Sequence, residues 1–319
     1  MDEFEIIKKY FQNISKNNPA ALQLNDDVFF DKKNRLVVSV DTYNEGIHFP
    51  NFELPNLIIK KILRSSISDL ISKGVEPKYY FISGSGNKNH FTKKNLKNIS
   101  KSLLSEQKRY KINLSGGDTT FSKKASFCVI SIGFSDKIIP RNKAKPNDDI
   151  YVTGNIGDSY LGMLVIKKKI KINKNLKKYF INKYYCPNLP FNICNHLNKF
   201  ANTSIDISDG LFSDLEKLIN QQNLSYEIDL NKVPLSQKLK NYMNKFKRNK
   251  KNYLSNGDDY QILFTASVNK RSLIHSFGKK MNQKITRIGK IVKSSKKNLI
   301  KINNKPQNLN DFKGYSHKF

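Results

Sequence analysis

The run Thr203-Ser-Ile-Asp206-Ile-Ser-Asp209-Gly210-Leu-Phe-Ser-Asp214-Leu-Glu-Lys-Leu-Ile219 constrains the fold more than any other stretch of this sequence. Ser204 and Ile205 lead out of a strand into Asp206, and Gly210 permits a tight turn. Leu211, Leu215, Leu218 and Ile219 then recur at helical spacing from a cap expected at Ser208 or Asp209. Three carboxylates gathered on one turn repel one another unless cations or backbone donors compensate. Oxygen-ligated Mg²⁺ is one way to meet that need; a strand end at Asp206 and a helix cap at Asp209 is the other. The run alone leaves both readings open.

Those acids stand out because the chain is so basic, with 57 Lys+Arg against 26 Asp+Glu and a net charge of +31. The lysines are scattered, and the densest runs, Lys167–Lys169 and Lys245–Lys251, fall in helix ends or connections. This is diffuse surface charge, without the clustered Arg and aromatic residues of a nucleic-acid face. Weak, salt-sensitive adhesion to polyanions is expected, and no specific nucleic-acid partner. At 319 residues the chain can build two α/β domains, with a linker-like Arg141-Asn-Lys-Ala-Lys-Pro146-Asn-Asp-Asp between them, so the expected units are 1–146 and 147–319. Cys128, Cys186 and Cys194 are odd in number and lack metal spacing, which fits unpaired thiols in a reducing cytoplasm, with Cys128 expected in a strand core. Met1 to Glu5 is acidic and no long apolar run follows, so neither a signal peptide nor a membrane partner is expected.

Along the chain, spacing predicts an amphipathic helix over Phe4, Ile7, Phe11 and Ile14, then a helix from Leu57 to Lys73 stopped by Gly74. Strands are expected at Leu36 to Asp41, Tyr79 to Ser83 and Ala125 to Phe134 in the first half, with a Lys-rich helix near 93–108. In the second half they are expected at Ile150 to Gly154, Tyr226 to Leu230, Ile262 to Thr265 and Thr286 to Val292. Helical stretches are expected at 160–166, 174–183, 191–200 and 270–281. Asp26, Asp27, Asp41, Asp69, Asp118, Asp206, Asp209, Asp214, Asp258 and Asp259 all fall at the ends of these elements or in short polar motifs. Several carboxylates beside glycine turns and Ser/Thr hydroxyls point to a polyphosphate held through several Mg²⁺ ions. A phosphate-binding Gly-x-x-x-x-Gly-Lys-Ser/Thr loop, a protein-kinase signature and a Gly-x-Gly-x-x-Gly turn are all missing from the sequence, which excludes the common nucleotide folds.

The ordered set Asn25-Asp-Asp, Ser39-Val-Asp41-Thr42 with His48, Ser68-Asp69-Leu70, Gly116-Gly-Asp118-Thr-Thr, Arg141 to Asp148, Tyr151-Val-Thr-Gly with Gly157-Asp-Ser, Ile205-Asp-Ile-Ser-Asp-Gly-Leu, Gly257-Asp-Asp-Tyr260 and Phe312-Lys-Gly-Tyr315 resembles the thiamine-monophosphate kinases. The resemblance runs through nearly the whole chain. It implies the two-domain ATP-binding α/β (α+β) fold of the aminoimidazole-ribonucleotide-synthetase-like superfamily, with the N-terminal sheet pairing across a homodimer and ATP bound between the domains. It implies Asp27, Asp41, Asp69, Asp118, Asp206 and Asp209 as Mg²⁺ ligands, supported by Ser39 and the Val40 backbone. Gly117, Asp118, Arg141 and Ser208 are implied as ATP contacts, and His48, Asp258 and Phe312 as contacts to thiamine monophosphate. No residue is assigned as an essential catalytic base. Four positions depart from the usual family pattern: Asn25 replaces Gly, Ser66 replaces Asn, Asn256-Gly-Asp258 replaces Gly-Gly-Glu, and Phe312 replaces Trp. A selenophosphate synthetase would carry a reactive Cys in its N-terminal segment, whereas no Cys here precedes Cys128.

Overall fold

The strands of the first half form a sheet covered on one side, and two of them, Leu36–Asn44 and Ser126–Phe134, alternate buried and more open residues as such a sheet requires. In the computed structural model, which describes residues 1–294, 298–308 and 314, they are β1 (Phe29–Asp31), β2 (Leu36–Asn44), β3 (Pro77–Gly86), β4 (Asn113–Gly116), β5 (Thr119–Phe121) and β6 (Ser126–Phe134). Among the described residues they form one sheet in the order β1-β2-β6-β3-β4, with β5 also beside β3. β2 and β6 pair antiparallel along their full length, from Leu36 opposite Phe134 to Asn44 opposite Ser126. Val37, Ser39, Tyr43, Phe127, Val129 and Ser131 point into the protein. The other face is open: Val40 is 61% exposed, Phe134 49% and Tyr79 43%. Cys128, expected in the core, falls on that outer face and is only half-buried, because it alternates with Phe127 and Val129.

Three α-helices serve this half, beside a 3₁₀ helix at Pro19–Leu24: α1 (Glu3–Ile6), continuing into a π-helical turn at Ile7–Phe11; α2 (Pro55–Ser72); and α3 (Lys93–Tyr110). The sequence predicts one apolar face on α2, yet the helix is buried nearly all round, including Lys61, Arg64, Ser65, Ser66, Ser68 and Ser72. The reason is its place between two sheets, which leaves it little contact with solvent. Arg64 answers with two hydrogen bonds to Glu106 of α3, at 2.7 and 3.0 Å, so neither buried charge is left alone. By contrast, the α1 segment buries none of its apolar side chains.

The second half builds a mixed sheet from β7 (Asp149–Thr153), β8 (Thr203–Asp206), β9 (Leu224–Asp229), β10 (Ile262–Ala266), β11 (Ile285–Lys293), β12 (Leu299–Ile302) and β13 (Lys305–Pro306). Its order is β13-β12-β9-β11-β7-β10-β8. β12 and β13 lack a long apolar run, so sequence spacing does not predict them. Around the sheet lie α4 (Asp158–Ile166), α5 (Lys174–Tyr185), α6 (Leu211–Leu218), α7 (Gln237–Lys245), α8 (Lys250–Leu254) and α9 (Arg271–Lys280), while residues Phe191–Lys199 wind as a 3₁₀ helix. Asp259 caps α4 from a distance, accepting the Gly157 amide at 2.7 Å. One apolar cluster belongs to this half; another joins Phe49, Ile59 and Tyr80 to Tyr151, Phe264 and Ile274, and so crosses between the halves. β8, an edge strand, lies against α2, where Ser68 Oγ donates to Asp206 and Ser204 Oγ to the Ser72 carbonyl.

Candidate active site

The C-terminal part of α2 brings Ser68 and Asp69 between β2 of one sheet and β8 of the other. Asp41 enters from β2 and Asp206 from the end of β8. Ser39 Oγ donates to Asp69 Oδ2 at 2.7 Å, and Ser68 Oγ donates to Asp206 Oδ2 at 2.7 Å. A cleft of about 510 Å³ opens there, lined among others by Asp27, Val40, Asp41, His48, Asp69, Arg141, Asp206, Ser208, Asp209 and Asp258. Glu3, Phe4 and Ile7 of the α1 segment lie at its rim. Helix α6 starts at Leu211 after Gly210, and neither Ser208 nor Asp209 caps it. Instead Asp214 Oδ2 reaches back and accepts the amides of Asp209 and Gly210 at 3.0 and 3.1 Å. The cap reading of Asp209 is thereby removed, and its carboxylate faces the cleft.

Electrostatics in the cleft follow from burial. Desolvation pushes the Asp41 carboxyl up to about 6 and Asp206 up to about 7, and it raises Asp69 well above the usual range, with Asp41 and Asp206 adding repulsion. Asp214 is raised to about 6 by burial, partly offset by Lys217. Three internal cations sit among these acids. Lys73 Nζ is fully buried and meets Asp26 Oδ1 at 2.7 Å, Asp27 Oδ2 at 3.0 Å and the Ser204 carbonyl at 2.9 Å, a partner for each of its three protons. Arg141 binds both oxygens of Asp27 and, through its amide, Asp26 Oδ2 at 2.8 Å. Lys217 bridges Asp209 and Asp214. Sequence reasoning missed Lys73 and Lys217, since one lysine among so many gives no signal before folding places it.

Also lining the cleft, His48 accepts the Asn44 amide on Nδ1 at 2.9 Å, which leaves the proton of the neutral ring on Nε2. Its carbonyl accepts the Tyr184 hydroxyl at 2.9 Å. Asp258 stands nearby on a loop braced against the acidic turn: its amide donates to the Ser208 carbonyl at 2.8 Å. Gly257 is needed there, because a Cβ would lie 1.6 Å from that carbonyl oxygen.

Comparisons with known proteins agree with this geometry. Residues 17–134 match the family described as AIR synthase related protein, N-terminal domain. The thiamine-monophosphate kinase of Buchnera aphidicola subsp. Schizaphis graminum is 33% identical, over 99% of this chain and 98% of that protein. The chain belongs to the thiamine-monophosphate kinase family. The Escherichia coli K12 thiamine-monophosphate kinase is 29% identical over 99% of this chain and 98% of its own length. A solved structure of AaThiL complexed with AMPPCP and TMP superposes with a TM-score of 0.85 at 26% identity, covering 99% of this chain and 97% of that one.

Not every expected kinase residue meets in the cleft. Gly117 and Asp118 lie on the exposed β4–β5 turn, with β6 and β3 between them and β2, and Asp118 Oδ1 accepts the Thr119 amide at 2.7 Å. Ser39 lies beneath the cleft and acts on it through Asp69. Phe312 falls outside the described residues. The donor set suits Mg²⁺, being all oxygen and mostly carboxylate. Asp41 Oδ2 is sealed from solvent and has no hydrogen-bond partner among the described residues, an acceptor awaiting a cation. Among the described residues, no three acidic, His or Cys groups converge tightly enough to hold an ion unaided, since Lys73, Arg141 and Lys217 engage several of the acids.

Proposed function

We propose that this chain transfers the γ-phosphoryl group of ATP to thiamine monophosphate, forming thiamine diphosphate. The observation that carries the reading is a cleft rich in carboxylates, in an otherwise basic protein, whose fold matches a structure bound to AMPPCP and TMP. Asp27, Asp41, Asp69, Asp206 and Asp209 would hold several Mg²⁺ ions, with Ser39 and the Val40 backbone in support, while Asp118 on the exposed β4–β5 turn stands apart from them. Bound there, the metal would neutralise the facing phosphates and polarise the transferred group.

Arg141 and Ser208 flank the carboxylate cluster and contact the ATP phosphates. His48 donates from Nε2 toward the acceptor, and Asp258 contacts its organic part, as does Phe312. The acceptor is a phosphate monoester with a second pKa of about 6, mostly dianionic at neutral pH, so its oxygen attacks without a protein base. Positioning and charge stabilisation then carry the rate.

The units 1–146 and 147–319 each contribute one wall of the cleft. The working form is a homodimer joined through the N-terminal sheet, a reading supported by the open apolar face around Val40, Tyr79 and Phe134. No helix among the described residues is long and apolar enough to cross a membrane. The unpaired cysteines support a place in the cytoplasm. Incubating the protein with ATP, Mg²⁺ and thiamine monophosphate, with free thiamine in parallel, tests the reading by product mass. Thiamine diphosphate should form only from the monophosphate; comparable use of free thiamine would overturn the base-free mechanism. Light scattering that gives a monomer at all concentrations would remove the dimer.

A further inference from the structure

We propose that Lys61, which no sequence motif singles out, is the positioning residue of the substrate end of the cleft; this deepens the function proposed above and rests on it. Lys61 projects from the middle of α2 and is 2% exposed, a costly place for an ammonium group unless it is paired. Its Nζ meets Asp258 Oδ1 at 2.5 Å and sits 3.6 Å from the centroid of the Tyr184 ring. Tyr184 in turn holds the His48 carbonyl. One buried cation on the central helix therefore braces both walls of the subsite, Asp258 from the second half and Tyr184–His48 from the junction with the first.

The loop that carries Asp258 needs such a brace. Asp258 and Tyr260 both adopt left-handed backbone conformations, with φ of 68° and 49°, which side-chain-bearing residues take only when their surroundings impose it. Tyr260 also donates its hydroxyl to Asp258 Oδ1, at 3.1 Å. With Oδ1 taken twice, Oδ2 has no hydrogen-bond partner among the described residues, and the side chain, 29% exposed, lines the cleft. Lys61 thus holds the Asp258 side chain in one orientation, with one carboxylate oxygen offered to an N–H donor or cationic ring of the acceptor's organic part. Asp258 touches the substrate, and Lys61 acts through it.

Steady-state kinetics of Lys61→Met, which keeps side-chain length and removes the charge, test this against wild type. The KM for thiamine monophosphate should rise about tenfold or more, the worth of an oriented charge-assisted hydrogen bond, while the KM for ATP stays within about threefold. Leaving Asp258 without its cation could unfold the variant, so Lys61→Met/Asp258→Asn is measured beside Asp258→Asn. The double variant buries no lone charge, and its KM for thiamine monophosphate should match that of Asp258→Asn alone, because the two residues act as one unit. A folded Lys61→Met with unchanged KM, an equal rise in the KM for ATP, or additive effects in the double variant overturns the proposal. Wild-type protein inert toward thiamine monophosphate would bring down the proposed function and this role together, whereas active wild type with an unaffected Lys61→Met brings down this role alone.

Discussion

Asp209→Asn separates a metal-binding carboxylate from a merely structural one. The Asp209 side chain is 30% exposed and its ion pair is with Lys217, which keeps a second partner in Asp214 at 3.1 Å. A partly exposed pair of this kind contributes up to about 1 kcal/mol, and the amide preserves the shape of the turn. The backbone of the turn is held by Asp214, not by Asp209. Stability should therefore fall by no more than about 1 kcal/mol, roughly 2 °C in melting temperature for a chain of this size. Turnover should fall by about a hundredfold or more, with a higher Mg²⁺ requirement, because an anionic oxygen is lost where phosphoryl charge must be neutralised. Asp214→Asn provides the contrast: that carboxylate is fully buried, bonds two amides and Lys217, and should cost about 2–3 kcal/mol of stability. Initial rates across a Mg²⁺ titration, with thermal melts on the same samples, read both quantities. Near-native turnover and Mg²⁺ dependence in Asp209→Asn would refute the metal assignment, and a large melting shift in that variant would refute the division of labour between the two acids.

Lys73→Met removes the buried cation between Asp26 and Asp27 and should cost about 3–5 kcal/mol in urea denaturation, as breaking a buried pair does; added Mg²⁺ should restore part of it, and a loss below about 1 kcal/mol would show Lys73 to be dispensable. In chelator-treated protein, the raised carboxyls of Asp41 and Asp206 mean that the folded state binds protons more tightly than the unfolded chain, so stability should decline as pH rises from about 4, the unfolded value, through the folded values of about 6 and about 7. A melting temperature higher at pH 8 than at pH 5 without metal would contradict that sign, and saturating Mg²⁺ should flatten the slope. Nucleic-acid binding should be weak and vanish at physiological salt, because the lysines are dispersed; tight, sequence-selective binding in gel-shift assays would count against this.

Local sequence pattern determined much of this protein. The apolar runs of Leu36 to Asp41 and Ala125 to Phe134, and the apolar spacing of α2 and α6, are patterns that strand and helix geometry impose on any chain, so those elements could be read directly. The acidic motifs could be read for a similar reason: carboxylates at strand ends and tight turns are conspicuous in a chain of net charge +31. What the tertiary structure alone decided is which charge answers which. Asp41 and Asp206 lie 165 residues apart in sequence and share a seam only because α2 is held between two sheets. Lys61, Lys73 and Lys217 look like any other lysines until packing strips their water and leaves particular carboxylates as partners. The cap of α6 belongs to Asp214 and not to Ser208 or Asp209, because Gly210, with φ 122°, turns the chain so that a residue one turn into the helix reaches the free amides. Hydrogen-bond partners of that kind depend on three-dimensional proximity, which residue spacing along the chain does not encode.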